Sequence, residues 1–347
     1  MMQWPFSTRA IAVPLGALAA VIALCLAATA GDRIDVTPGM GTRAGSPVPS
    51  TGVGKLPDAD GRTAAPVRDP SPQEPYYGMH FVPSSDLGTV RDLGAEVVLM
   101  ALPHDGTPKD WLSYLDAAWA EQISVIAWLW PEGWRWDGAA WRIDEQAELF
   151  VRTVSEHPGL LAVYALHEPY WNGCWGCGYT TAEQQALYSA VKAIADVPIH
   201  SAVDSMSAWT AHGEETAFAD GICDYCETWY HPFRENGTYK RNKVISHLDA
   251  DLAIARERAP DAKVVWSMQC FAQQGHSRMP TAEEMEDLAS IVYDRDVAGA
   301  LWYPWHFGDL YSDVLSNHPE LYDTVRQIYE GHVLPSRSRT GGPRSSD

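Results

Sequence analysis

The stretch Leu160-Leu161-Ala162-Val163-Tyr164-Ala165-Leu166-His167-Glu168-Pro169 runs from a short apolar segment directly into a His, a Glu and a Pro. A continuous apolar run of this length suits a strand buried on both faces, as in a parallel sheet covered by helices. Pro169 has no N–H for a sheet ladder, so it ends the strand where Glu168 leaves it. Working outward, seven more runs of the same kind are found: Tyr77–Val82, Glu96–Leu102, Ser124–Trp130, Pro198–Val203, Ile222–Tyr230, Lys263–Gln269 and Ala298–Trp305.

Amphipathic segments fall between these runs, at Pro108–Glu121, Ile143–Glu156, Thr181–Ala195, Asn242–Arg258 and Thr281–Asp296. Another, Pro319–Tyr329, follows the last run, and weaker ones lie near Asp86–Leu93 and Trp209–Thr216. Thr180 with Glu183 and Thr281 with Glu284 form capping boxes, which fix two helix starts. Eight strands alternating with helices close most simply into a single α/β domain, a (β/α)8 barrel of the TIM type over residues 76–332. A doubly wound sheet would need fewer strands and a topological switch.

Outside that unit the composition changes. Residues 1–30 have the layout of a secretory signal peptide: Arg9, an apolar run from Ile11 to Ala28, and Ala28-Thr29-Ala30 as a small-residue cleavage site. The expectation is a secreted protein without an integral membrane domain after cleavage; an uncleaved N-terminal anchor is the competing reading. Residues 31–75 are rich in Pro, Gly, Ser, Thr and Asp with no apolar period, which predicts a disordered linker. Residues 333–347 read as a disordered tail on the same grounds.

The formal net charge of −20 repels phosphate backbones, so nucleic acid is not an expected partner. Fifteen Trp and fifteen Tyr exceed what a core alone needs. Aromatic faces pack on sugar C–H surfaces while their N–H and O–H groups stay available, which points to a carbohydrate partner.

In a (β/α)8 barrel the C-terminal strand ends are the one face where all eight units converge. The residues there are His80, His104, Trp128, Trp130, His167, Glu168, Asp204, Trp229, Tyr230, His231, Gln269, Trp305 and His306, with Trp171 on the loop after Glu168.

The segment ending His167-Glu168-Pro169 resembles the fourth-strand signature of clan-A glycoside hydrolases, in which Asn-Glu-Pro or Asp-Glu-Pro supplies the acid/base Glu. His167 here replaces the Asn or Asp. Val264–Phe271 followed by Arg278–Glu284 resembles the seventh strand and helix start of glycosidase-like barrels, and Trp229-Tyr230-His231-Pro232 resembles their sixth-strand end. The resemblance implies a hydrolase of O-glycosyl bonds with Glu168 as general acid, its pKa lifted by an aromatic-lined pocket. The aromatic and His side chains at the strand ends, together with Gln269, would then bind sugar.

Clan-A enzymes carry a nucleophilic Glu at the end of strand seven, where this chain has Gln269. An amide cannot form a glycosyl ester. Three readings stay open: another carboxylate is the nucleophile, the enzyme inverts with a more distant base, or the barrel binds glycans without cleaving them. Glu227 is the first candidate for the second carboxylate, because it shares strand parity with Trp229 and His231; a structural acid held by His or Tyr is the alternative. Asp204 is next, with a helix-capping role as its alternative, and Glu132 and Asp309 rank lower on their loops.

A metal-dependent hydrolase or deacetylase is a further reading, since several His residues lie near strand ends. Such barrels usually open with His-x-His, whereas His80 is flanked by Met79 and Phe81, so neither metal nor cofactor is expected. In an oxidising compartment Cys174 and Cys177 are expected to form a disulfide. Cys223 and Cys226 fall within a predicted strand, where residues three apart face opposite ways, and with Cys270 they have no assigned partners.

Overall fold

A computed structural model describes residues 72–170, 178–307 and 311–340, the side chains of the last two of these excepted. Eight parallel strands form a closed barrel: β1 (Tyr76–His80), β2 (Val97–Pro103), β3 (Ser124–Trp130), β4 (Leu160–His167), β5 (Ile199–Asp204), β6 (Tyr225–Trp229), β7 (Lys263–Gln269) and β8 (Gly299–Tyr303). They pair in sequence order, and β8 closes on β1 through Tyr76 with Gly299 to Met79 with Trp302. The expected (β/α)8 architecture is therefore the observed one.

The helices are α1 (Leu87–Asp92), α2 (Pro108–Ala120), α3 (Glu145–Ser155), α4 (Thr181–Ile194), α5 (Met206–His212), α6 (Arg241–Arg258), α7 (Ala282–Tyr293) and α8 (Tyr322–Ile328). Both expected capping boxes are formed. A third, Thr107 with Asp110, starts α2 with an Asp in the place more often taken by Glu or Gln. None of the helices among the described residues is long and apolar enough to cross a membrane.

Two cores result. The larger lies between barrel and helices and takes the outward strand residues, among them Val163, Ala165, Trp266 and Trp302. The smaller fills the barrel with Tyr76, Leu99, Ile126, Trp128, Tyr164, Ala202, Val265 and Leu301. Gly299 makes room for the first of these: a Cβ there would sit 2.4 Å from the Tyr76 ring.

The C-terminal segment departs from expectation. After α8 the chain continues through a π turn, Tyr329–Val333, into α9 (Leu334–Thr340). Its Arg337 is 8% exposed, pairs with Glu96 and donates to the Pro75 carbonyl at 3.1 Å. An ion pair and a backbone acceptor on the underside of the barrel order a segment that composition alone reads as a tail. Pro72 and Pro75 are likewise buried, so the ordered unit begins within the expected linker. The expected signal peptide, Trp171, Asp309 and the expected Cys174–Cys177 disulfide lie outside the described residues.

The cysteine reading also needs a correction. Cys223 and Cys226 are bonded to each other, with Cα atoms 5.5 Å apart. The strand starts at Tyr225 rather than Ile222, because the chain bends at Asp224, whose carboxylate accepts the Ile199 N–H at 2.7 Å. Cys223 therefore precedes the ladder, and the strand alternation that would separate the two sulfurs does not apply. Cys270 is a buried free thiol.

Candidate active site

The mouth owes its chemistry to irregularities in the strands beneath it. On β4 the register against β5 shifts between Tyr164 and Leu166. Without the shift, Tyr164 and His167 would face opposite sides of the sheet. With it both point inward, and the Tyr164 hydroxyl lies 2.7 Å from His167 Nδ1. A second shift, between Ala202 and Asp204 on β5 where it pairs with β6, precedes the turn-out of Asp204.

Glu168 and Asp204 both adopt positive φ, 46° and 60°, and Phe81 at the end of β1 does so at 57°. For a non-glycine residue this region is costly, most so for Glu and Phe, and such conformations gather at functional sites. Backbone bonds hold Glu168 there, its N–H donating to Ala202 O at 2.8 Å.

Both carboxyls are half-buried. Burial lifts the Glu168 carboxyl, and the negative charge of Asp204 lifts it further, to about 7. Burial lifts Asp204 to about 6; the charge of Asp251 adds to this, while His247 and a hydrogen bond from Trp209 oppose it. Two acids on neighbouring strands thus titrate close to neutral pH, the higher on Glu168.

Glu227 sits lower, inside the barrel, and is 1% exposed. His80 Nε2 lies 2.8 Å from its Oε1 and His200 Nε2 lies 3.6 Å from its Oε2. Burial by itself would raise the Glu227 carboxyl, but His80, His200 and a hydrogen bond from Ser267 together hold it down at about 2. His200 is held low, at about 4, by its own burial against the pull of Glu227. The acid is held by two histidines, the contact named as the alternative to a catalytic role.

Aromatic rings form the wall above this layer. His167 is stacked against Trp128 at 5.6 Å and Trp229 at 6.3 Å. Burial depresses its basicity to about 4, which keeps the imidazole neutral. Trp229 also stacks on His231, and His231 meets Phe271 edge-on. Tyr230 leans instead towards His247 and carries Arg234 over its ring. Trp128 is 5% exposed and donates its indole N–H to Glu132 at 3.0 Å. Trp130 is half-buried.

Four expected sugar contacts are engaged elsewhere by the protein. His80 is 4% exposed and engaged by Glu227. His104 reaches Asp144, the N-cap of α3, at 2.9 Å. Gln269 is fully buried; its Oε1 accepts the Phe233 N–H, and its Nε2 faces the carbonyls of Phe233, Phe271 and Arg278. Trp305 is 1% exposed in the outer core and donates to Asp86. His306 is exposed to solvent. A strand end need not face the mouth: the side chains of His80, His104, Gln269 and Trp305 turn outward, into a loop, or below the rim.

Sequence reading passed over Tyr303 and Tyr311. Their hydroxyls are 2.9 Å apart, and the Glu168 charge is among the influences raising both phenols. Alternation was the available signal for Tyr303 alone: Trp302 packs in the outer core, so Tyr303 faces inward, and Pro304 ends the ladder before Trp305.

No protein-family model and no curated protein matches the sequence. Among solved structures the chain is similar to the endo-beta-1,4-mannanase from Thermotoga petrophila, with 12% identity over 75% of this chain and 77% of that one and a TM-score of 0.50. It is also similar to the hyperthermostable endo-1,4-beta-D-mannanase from Thermotoga petrophila RKU-1, with 12% identity over 74% of this chain and 99% of that one and a TM-score of 0.50. At this identity the likeness is one of fold, and at that level the resemblance to glycoside-hydrolase barrels holds.

Proposed function

We propose that this chain is a glycoside hydrolase that cleaves a poly- or oligosaccharide by carboxylate acid/base catalysis, with Glu168 as the general acid. One observation carries the reading: Glu168 and Asp204 stand on adjacent strand ends at the mouth, both lifted towards neutral pH, with Glu168 the higher. Two acids whose environments separate their pKa values divide the roles of proton donor and base. In this reading Glu168 delivers its proton to the glycosidic oxygen, while Asp204, ionised, activates water or attacks carbon.

Glu227 serves in this reading as the buried anion that organises His80 and His200 under the mouth. Gln269 occupies the seventh-strand end as a structural amide, so the second carboxylate comes from β5. The half-buried His167 and Trp229, backed by Trp128, offer an aromatic surface for the sugar ring. Export fits the signal-like residues 1–30 and an extracellular glycan as substrate.

The test is incubation of the purified chain with a panel of polysaccharides, followed by measurement of new reducing ends. Release by the native chain and its loss in both Glu168→Gln and Asp204→Asn is the expected result. Release that survives in Glu168→Gln overturns the assignment, and binding without release on every substrate leaves a glycan-binding barrel.

A further inference from the structure

Beside His167, on the side away from Asp204, a cavity of about 160 Å³ opens among Trp130, Glu132, Trp134, Trp141, His167 and Tyr179. It is built by the chain between β3 and α3, where Trp134–Trp136 pairs with Trp141–Ile143 as an antiparallel ribbon. Trp134 donates its indole N–H to Ala165 O at 2.8 Å, and Trp141 donates to Glu183 O at 2.6 Å. With their polar edges spent on the protein, these indoles have only apolar surface to offer a ligand. The Trp141 and Tyr179 rings are 4.8 Å apart and inclined by 59°, the arrangement of adjoining walls rather than of a flat stack.

The acid in this cavity is distinctive. Among the described residues the only side chain that bonds the Glu132 carboxyl is Trp128, and no Lys or Arg lines the space. A half-buried carboxylate beside aromatic rings and without a cationic neighbour is a favourable site for an ammonium group, which gains both the charge and the ring faces. The volume resembles that of a cavity holding one small ring. It also adjoins His167, the residue before Glu168 at the end of β4.

Resting on the glycosidase reading, we infer that this cavity is a subsite for a hexosamine with a free amino group, its ring against Trp134 and Trp141 and its ammonium on Glu132. The substrate class is then a cationic, non-acetylated glycan. The net charge of −20 favours the approach of such a polymer.

Calorimetric titration of the full chain carrying Glu168→Gln, which prevents turnover, tests this with tetramers of glucosamine, N-acetylglucosamine and glucose at low salt and just below neutral pH. The glucosamine tetramer should bind at least about tenfold more tightly than the other two, the worth of one charge-assisted hydrogen bond. Adding Glu132→Gln, whose amide oxygen still accepts from Trp128, should remove that preference and leave binding of the glucose tetramer unchanged. Equal affinity for the three tetramers, a preference for a neutral one, or no binding of the glucosamine tetramer overturns the inference. Reducing-end release by the native chain from a neutral glycan, together with any of those results, would keep the glycosidase reading and discard only this one.

Discussion

Gln269 holds Phe233 through both its N–H and its carbonyl, with Oε1 accepting at 3.1 Å and Nε2 donating at 3.4 Å. The end of the seventh strand is thereby used to fasten the loop after β6. Restoring the acid should therefore not restore chemistry. In Gln269→Glu a carboxylate faces three carbonyls to which the amide donated, leaving buried acceptors unpaired. We expect a loss of about 1–3 kcal/mol of stability and no gain in turnover, read by thermal melting and a reducing-end assay. A stable variant with raised activity would show that the loop yields and that this strand end does reach the substrate.

Glu168 carries a cost as well as a role. Its folded pKa of about 7 lies above the ordinary glutamate value of 4.5, so the folded chain binds that proton more tightly than the unfolded one. The sign follows: the group favours folding when protonated, and that contribution is lost as pH rises from 4.5 through 7. Glu168→Gln should therefore stabilise the fold at pH 8 by on the order of 1–2 kcal/mol after allowance for solvent reaching the half-buried carboxyl, read as a higher melting temperature, and change little at pH 4. Activity should fall about 10²–10⁴-fold. A variant less stable than the native chain at pH 8 would contradict the burial argument.

The two carboxyls also set an expected pH profile. With the proposed roles, turnover needs Asp204 ionised, which fails below about 6, and Glu168 protonated, which fails above about 7. A narrow bell centred between these values is expected for kcat/KM, with limbs belonging to the coupled pair rather than to either residue alone. In Asp204→Asn the repulsion that lifts Glu168 is gone, so the alkaline limb of any residual activity should move to lower pH. An unmoved limb would separate the two groups electrostatically.

Much of this architecture was legible in the sequence because it depends on period. The eight apolar runs, the capping boxes at Thr180 and Thr281, and Glu168 before Pro169 are local signals, and tertiary packing agrees with each. What was not legible depends on phase. The shift on β4 turns Tyr164 and His167 to the same face, a three-residue spacing that ordinary alternation forbids. The bend at Asp224 brings Cys223 to Cys226, and the inward turn at Tyr303 leaves the neighbouring Trp305 in the outer core. Such features are fixed by long-range partners, Ile199 for Asp224 and Asp86 for Trp305, which no short window contains.

Glu227 offers the sharpest division between holding the fold and doing chemistry. Its carboxyl is held near 2, below the ordinary 4.5, so its stabilising contribution is complete above about 4.5 and is lost as pH falls towards 2. His200 adds to acid lability over a higher range, because a buried imidazole held near 4 must take up a proton on unfolding below about 6.5. Removing the closest partner, in His80→Ala, strands a buried carboxylate and should cost about 3–5 kcal/mol at neutral pH. Glu227→Gln should also be destabilised at neutral pH and should lose the part of the acid transition between 4.5 and 2. If Glu168 and Asp204 form the working pair, folded Glu227→Gln still releases reducing ends, at a rate reduced by far less than that of Glu168→Gln. If it melts like the native chain but releases none, the buried acid is the second carboxylate, and the mouth must open further than its present packing allows.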